Sequence, residues 1–426
     1  MRPDLTRLRR LLVGAMLATA AASAAAAPVV AAEHNVAAGA GLAAAIAAAS
    51  AGDVLRLAPG RHAGPVAIDR RLSLIGETGA ILEGTGNGSV VTVTAPDVRI
   101  EGLTIRGSGI DVPGMDSAIL VMRTAERATV IGNRLEDNLF GVYLHGAAGS
   151  RVEGNVIRGR RDLRTAEAGN GVSIWNAPGA AVVGNDIRHG RDGIFVNTSR
   201  KNVFEGNSFA DLRFAIHYMY THDSRIVGNR SQGNHVAWAL MYSDRLVVRD
   251  NVSDGDRDHG LLMNFVKSSE IVGNTVRAGS GKCLFIYNAH LNRLEGNRFE
   301  GCPIGIHFTA GSERNRVAGN AFVGNQTQVK YVGTRRVEWA HAGRGNYWSD
   351  NPAFDLDGDG IADREYRPND IVDDLLWRHP QAKLLINSPA VTVLRFAQGR
   401  LPALFPGGVV DTAPLMAPPE MGKTRP

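Results

Sequence analysis

A Gly-Asn pair recurs along this chain at a period that few folds can carry. It stands at Gly132-Asn133, Gly154-Asn155, Gly184-Asn185, Gly206-Asn207, Gly228-Asn229, Gly273-Asn274, Gly296-Asn297 and Gly319-Asn320, and Asp250-Asn251 fills the one gap. Successive asparagines are 22, 30, 22, 22, 22, 23, 23 and 23 residues apart, and the 30 reads as a 22 with eight residues inserted within 159–169. A period near 22 residues means stacked units, none of which can bury its apolar side alone.

Each unit carries three short apolar runs. One follows the asparagine (Asn155-Val-Ile, Asn297-Arg-Phe), one comes about nine residues later (Gly141-Val-Tyr-Leu, Gly305-Ile-His-Phe), and one precedes the next pair (Arg151-Val-Glu, Arg225-Ile-Val). Short runs between turn residues suit strands rather than helices. The expected fold is all-β: a right-handed parallel β-helix with three-strand rungs of about 22 residues, each rung ~4.8 Å above the last. The glycine frees the backbone to turn, and the asparagines can ladder at one corner. A leucine-rich repeat would need a regular Leu-x-x-Leu-x-Leu pattern, which this sequence lacks.

The N-terminus reads as a leader. Arg2, Arg7, Arg9 and Arg10 precede an uncharged, Ala-rich stretch over 11–32, and Val30-Ala31-Ala32 suits a cut after Ala32. An uncleaved anchor is the alternative, for which so much alanine makes a poor span. The expected location is the periplasm, after export. The leader holds a net three of the formal +5 charges. The remaining chain is close to neutral, which removes nucleic acid as the default partner.

Residues 41–50 predict a short helix capping the first rung. Gly76 and Gly102 predict the corner that Gly132 later holds, so the solenoid starts well before the clean repeats. The expected organisation is a leader over 1–32, the β-helix with its N-terminal cap over 33–335, a cap with an acidic loop over 336–380, and an irregular or helical extension over 381–426.

Alternation sorts the second run of each unit into two sides. Val142, Leu144, Val172, Ile174, Ile194, Val196, Ile216, Leu240, Leu261, Met263, Leu284, Ile286, Ile306 and Phe308 point inward. Two outward columns remain. One reads Tyr143, Ser173, Phe195, His217, Ala239, Leu262, Phe285, His307; the other reads His145, Trp175, Asn197, Met219, Met241, Asn264, Tyr287, Thr309. A solvated face would be Ser, Thr, Lys and Glu. This one is rich in aromatic, Met and His residues and holds no carboxylate, the composition of an interaction surface. Its docking residues are Tyr143, Trp175, Phe195, Phe285, Tyr287 and His307. His217 and Met219 share a side, with Met241 one rung on. Thioethers beside an imidazole suit transient Cu(I), and packing against a protein partner is the alternative, since Met is adaptable interface filler.

Asp192, Asp211, Asp223, Asp244 and Asp258 keep a carbohydrate-active enzyme (lyase, hydrolase or epimerase) open as the competing class. They sit beside turns, where aspartate is more often a turn former. The two cysteines leave two states open. One turn back from Cys302 lies Gly279, four residues from Cys283; along a strand that is ~13 Å, beyond disulfide reach unless a corner folds the pair together. The register therefore favours unpaired thiols.

After Asn325 the period fails. Asp355, Asp357, Asp359 and Asp363 fall at positions 1, 3, 5 and 9 of a calcium-type loop with Gly360 at position 6, predicting structural calcium. Tyr366 stands where the closing Glu belongs, so an acidic turn is the alternative. From Gln381 onward Leu384, Leu385, Val391, Leu394, Leu401, Leu404 and Phe405 make an apolar tail too small for its own core, and 413–426 reads as a loose end, tied down if at all by Leu415-Met416.

Several non-repeating strings narrow the reading further. They include His217-Tyr-Met-Tyr, Cys283-Leu-Phe-Ile-Tyr-Asn-Ala, Gly305-Ile-His-Phe-Thr-Ala-Gly-Ser-Glu-Arg-Asn, Gln328-Val-Lys-Tyr-Val-Gly-Thr-Arg, Gly343-Arg-Gly-Asn-Tyr-Trp-Ser-Asp, Phe354-Asp-Leu-Asp-Gly-Asp-Gly-Ile-Ala-Asp, Tyr366-Arg-Pro-Asn-Asp and Pro406-Gly-Gly-Val. With these the chain resembles the NosD family, periplasmic maturation factors of nitrous oxide reductase, over essentially all of its length beyond the leader. The resemblance implies a non-catalytic β-helix that works with an ABC transporter, its membrane subunit and its ATPase. It implies support for assembly of a copper–sulfide centre, with a copper chaperone and the reductase as docking partners. It also implies that the segment from Gln381 anchors on the membrane subunit. It assigns no role to His217, Met219 or Met241.

Overall fold

Three parallel sheets run the length of the molecule, each taking one strand from every turn of the chain. The computed structural model describes residues 31–309, 311–333, 335–400 and 407–420; the leader expected over 1–32 lies almost wholly outside the described residues, as do Leu401, Leu404 and Phe405. Among the described residues, sheet I has 13 strands, from Glu33–Val36 to Arg316–Ala318. Sheet II has 13, from Gly60–Ala63 to Tyr347–Trp348, and sheet III has 12, from Val66–Ile68 to Thr327–Val332. The fold is the expected parallel β-helix.

The Gly-Asn pair turns sheet I into sheet II. Gly132, Gly154, Gly184, Gly206, Gly228, Gly273, Gly296 and Gly319 have φ of 60–68°, and Asp250 takes 57° in the same place. Strand registers align Gly76 and Gly102 with Gly132, so the early rungs belong to the same solenoid. Behind the corner, ten asparagines from Asn133 to Asn346 form an unbroken buried ladder. Each side-chain amide donates to the next Oδ1 at 2.8–3.1 Å. A fully satisfied polar chain of this kind specifies the register. Every inward residue assigned from alternation is buried.

The ends are closed. Helix α1 (Leu42–Ala48) covers the first rungs through Leu42 and Ile46. At the other end Phe322, Trp339 and Trp348 stack, with Phe322 and Trp348 4.3 Å apart. Such plugs hide strand edges that would otherwise recruit other chains. The chain then leaves the solenoid through the acidic loop, α2 (Ile371–Arg378) and α3 (Pro389–Arg400). It returns as Gly408–Val410, parallel to Arg336–Glu338. Asp411, fully buried, accepts from the backbone N–H of Asn346 (2.7 Å), its side-chain amide (3.2 Å) and Trp348 Nε1 (2.8 Å). Leu415 is buried against Tyr347 and Ile361. The stretch 413–416 is therefore tied into the cap, at the Leu415-Met416 pair.

Cys283 and Cys302 form a disulfide with Cα atoms 5.7 Å apart. The expectation of unpaired thiols is corrected here. Gly279 does lie under Cys302, whose sulfur would stand 3.4 Å from a Cβ added at that glycine. However, residues 279–281 form the corner between the strands Thr275–Arg277 and Lys282–Tyr287. The four-residue offset is thereby bent round the corner rather than laid out along a strand.

Candidate functional site

The outer face of sheet III differs from the other two. Sheets I and II carry Arg–carboxylate pairs along and across their strands, among them Arg99–Glu101, Arg134–Glu136, Arg298–Glu300 and Arg277–Asp254. Such exposed pairs add little stability and keep a surface wet. On sheet III the registers run Tyr143, Ser173, Phe195, His217, Ala239, Leu262, Phe285, His307, and beside them His145, Trp175, Asn197, Met219, Met241, Asn264, Tyr287. The first column ends at Lys330. Tyr143, Trp175, Phe195, Phe285 and His307 are half-buried, and Tyr287 is exposed. His145 stacks on Trp175 at 4.6 Å.

The structure brings Met219 and Met241 together as register partners, with His217 two residues before Met219 on the same side. Beneath His217 lies Asp192, 1% exposed. Asp192 Oδ2 is 3.0 Å from His217 Nδ1, and Arg213 donates to both its oxygens at 2.8 and 2.7 Å. Burial pushes the Asp192 carboxyl up, but hydrogen bonds from His217 and Arg213 outweigh it and hold it below its ordinary range. A carboxylate accepting from Nδ1–H fixes the ring and leaves Nε2 as the donor nitrogen, the usual support of a metal-binding histidine. One imidazole and two thioethers form a donor set suited to Cu(I). Phe195 and Phe214 flank the imidazole at 5.0 and 4.8 Å.

One feature of this face is absent from the two columns. Immediately after Met219, Met241 and Asn264 stand Tyr220, Tyr242 and Phe265. All three are exposed and all three have left-handed backbone, at φ 52°, 50° and 53°. Their rings stack, Tyr220 on Tyr242 at 5.1 Å and Tyr242 on Phe265 at 5.0 Å, and Tyr287 closes the row edge-on at 6.0 Å. A bulky side chain at positive φ is uncommon, and three in register are a built feature. Sorting by alternation missed them because it stops where the strand's extended backbone stops. The signal was the recurrence of an aromatic residue at intervals of 22 and 23.

The acidic loop gathers Asp355, Asp357 and Asp359, with ligand oxygens all within 4.8 Å of one another. Asp355 accepts from the N–H groups of Gly358 and Gly360 at 2.6 and 2.8 Å, which hold its carboxyl below the usual range. Asp363 turns instead to the N–H of Leu356 at 2.7 Å. Tyr366 is bound to Asp350 and packs on Trp348, so it belongs to the plug and not to the loop. Along the extension Leu384, Leu385, Val393 and Phe396 are exposed. Among the described residues no helix is long and apolar enough to cross a membrane.

The family model described as "Periplasmic copper-binding protein (NosD)" matches residues 153–353. A probable ABC transporter binding protein NosD from Stutzerimonas stutzeri is 43% identical over 378 residues, 85% of this chain and 87% of that protein. Its namesake from Pseudomonas aeruginosa is 43% identical over 376 residues, 85% and 88% of the two chains. Among solved structures, the A-module of the Azotobacter vinelandii mannuronan C-5 epimerase AlgE6 superposes with a TM-score of 0.54 over 68% of this chain and 89% of the module, at 13% identity. That likeness is one of fold alone.

Proposed function

This chain belongs to the NosD family, and from that premise we propose that it is a non-catalytic accessory protein of an ABC transporter, acting in the periplasm after its leader is removed. It supports assembly of the copper–sulfide centre of nitrous oxide reductase. A copper chaperone and the reductase dock on the outer face of sheet III. The exposed apolar extension from Gln381 anchors on the transporter's membrane subunit, and ATP-driven motion there changes which partner the face holds. Cu(I) is cargo, received at His217, Met219 and Met241. The observation that carries this reading is the pair of thioethers in register beside an imidazole held by Asp192, on a face otherwise aromatic.

The competing reading is a carbohydrate-active enzyme. Glycosidic chemistry generally wants two carboxyl groups ~5–10 Å apart flanking one bond. Asp192 is instead committed to Arg213 and His217, Asp223 to Arg245, and Asp258 lies against His235 and His259. These engagements favour the accessory role.

The test is Cu(I) binding to the mature protein in competition with a chromophoric chelator, wild type against the His217→Ala, Met219→Ala, Met241→Ala triple variant. Tight binding lost in the variant supports a cargo site on this face. No binding by either removes the cargo step and leaves a docking surface. Docking itself is tested by whether ATPase-inactive transporter complexes still exchange chaperone for reductase; normal exchange would overturn the motion step.

A further inference from the structure

The outer face of sheet III changes its electrostatic character along its length. At its middle a buried carboxylate, Asp192, underlies His217. Farther on the side chains are cationic. His259 and Lys282 are register neighbours, and Lys282 Nζ stands 4.9 Å over the Phe285 ring. That ring stacks on His307 at 4.8 Å and 25°, and Lys330 follows His307 on the next strand in the same column. Two ammonium groups thus bracket one imidazole, Lys282 from the rung below and Lys330 from the rung above.

Among the described residues neither Lys282 nor Lys330 has a carboxylate within ion-pair distance, although Asp258 attracts Lys282 from a distance. Asp258 lies 2.9 Å from His259 and 3.7 Å from His235. Glu313 pairs with Arg335. His307 Nδ1 is buried with no hydrogen-bond partner. Burial, followed by the positive charges of Lys330, Lys282 and His259, pushes the His307 imidazole down to about 4, so it is neutral at pH 7. Burial lowers Lys282 as well; the pull of Asp258 opposes it, and the repulsion from Lys330 is the smallest of the three effects. Like charges held on adjacent rungs without an ion-pair partner oppose folding, and a bound anion removes that opposition.

We propose that Lys282, His307 and Lys330 form an anion-binding site for a carboxylate group, with the two ammonium groups meeting its two oxygens and the imidazole donating a third hydrogen bond. The same cationic surroundings make this a poor place for Cu(I), so the site is separate from His217, Met219 and Met241 and stands or falls independently of copper binding there. The carboxylate comes either from a free small acid or from an Asp or Glu side chain of a protein docked on this face.

The experiment follows the His307 ring signals by NMR in the mature full-length protein with isotope-labelled histidine, at constant ionic strength set with chloride. Acetate and a Glu-rich hexapeptide are titrated separately. The expected result is a saturable shift of His307 and a rise of its titration midpoint by about 1 pH unit in the bound state. Lys282→Met and Lys330→Met keep the aliphatic stems. Each is expected to lose the saturable shift and to raise the His307 midpoint without any ligand. Response to acetate identifies a free acid as sufficient; response to the peptide alone identifies a partner's side chain. Signals that stay put with both ligands overturn the proposal, and so does a shift that persists unchanged in the Lys282→Met, Lys330→Met double variant. Circular dichroism checks the fold of each variant, with Lys→Gln versions as replacements where a Met variant is unfolded.

Discussion

Asp192 Oδ2 lies 3.0 Å from His217 Nδ1, and this contact decides which ring nitrogen is left for a ligand. Asp192→Asn is expected to weaken Cu(I) binding ~10–100-fold by freeing the ring to rotate and change tautomer. It also leaves Arg213 without its counter-charge, at a cost on the order of 3 kcal/mol. Adding Arg213→Met should restore stability without restoring copper affinity. Chelator competition and urea unfolding, run in parallel on both variants, separate the two effects; full copper affinity in the double variant removes His217 from the site. Because the folded-state carboxyl is held below its ordinary range, the stability it contributes is fully present above pH ~4 and lost on acidification below that.

The ring ladder gives a second prediction. Asn176 and Asn288 occupy the same column as Tyr220, Tyr242 and Phe265 and take φ of 46° each, so asparagine fits there. Tyr242→Asn relieves a left-handed bulky residue, worth ~1 kcal/mol, and loses ring stacking of similar size, ~1 kcal/mol. The melting temperature should barely move, while affinity for the chaperone or the reductase falls at least ~10-fold as a central aromatic contact is removed. Interferometry with both partners checks this, and unchanged affinity for both assigns the ladder to the fold alone.

Asp256 stands at the corner between sheets II and III in the register place that Asn234 and Asn325 hold on other rungs. Its carboxylate accepts from the Asn234 N–H, Ser231 and Ser253. Burial pushes it up to about 6. A raised acid favours the protonated fold, so its penalty is full above pH 6 and fades as the pH falls towards 4. Asp256→Asn should therefore stabilise the protein at pH 7.5 by up to ~3 kcal/mol and by only about a third of that near pH 4.5. Urea unfolding at the two pH values measures it; an equal difference at both assigns the effect to something other than charge.

Calcium should stabilise the loop at Asp355, Asp357 and Asp359. A site with a dissociation constant of ~1 mM, typical of weak extracellular modules, would add about 1.4 kcal/mol at ~10 mM calcium. Asp359→Asn should abolish the gain, and magnesium should not reproduce it. Equal melting temperatures in calcium and in chelator would make the loop an acidic turn.

The rungs were legible because two short-range rules repeat. Glycine takes the left-handed corner at Gly132 and its successors, and alternation places Val142, Ile194 or Leu284 inside wherever the strand is extended. Both rules act within a few residues, so one sequence suffices to read them. Corners defeated them. The disulfide closes across a corner that strand geometry treats as straight, and Tyr220, Tyr242 and Phe265 sit just where alternation ends. The partnership of Asp192 with Arg213 and His217 was also hidden, since the carboxylate lies 25 residues before the histidine and reaches it only through the stacking of rungs. The return of Leu415 to Tyr347 is a contact across 68 residues with no period to announce it.

Asp411 gives the C-terminal excursion a mechanical meaning. The chain leaves the solenoid after Trp348 and is stitched back at Gly408–Val410, with Asp411 bonded to the last asparagine of the ladder. The excursion carrying α2 and α3 is thus clamped at both ends instead of trailing free. Load applied to it would enter the solenoid at the last rung of the asparagine ladder, ten amides running lengthwise through the molecule.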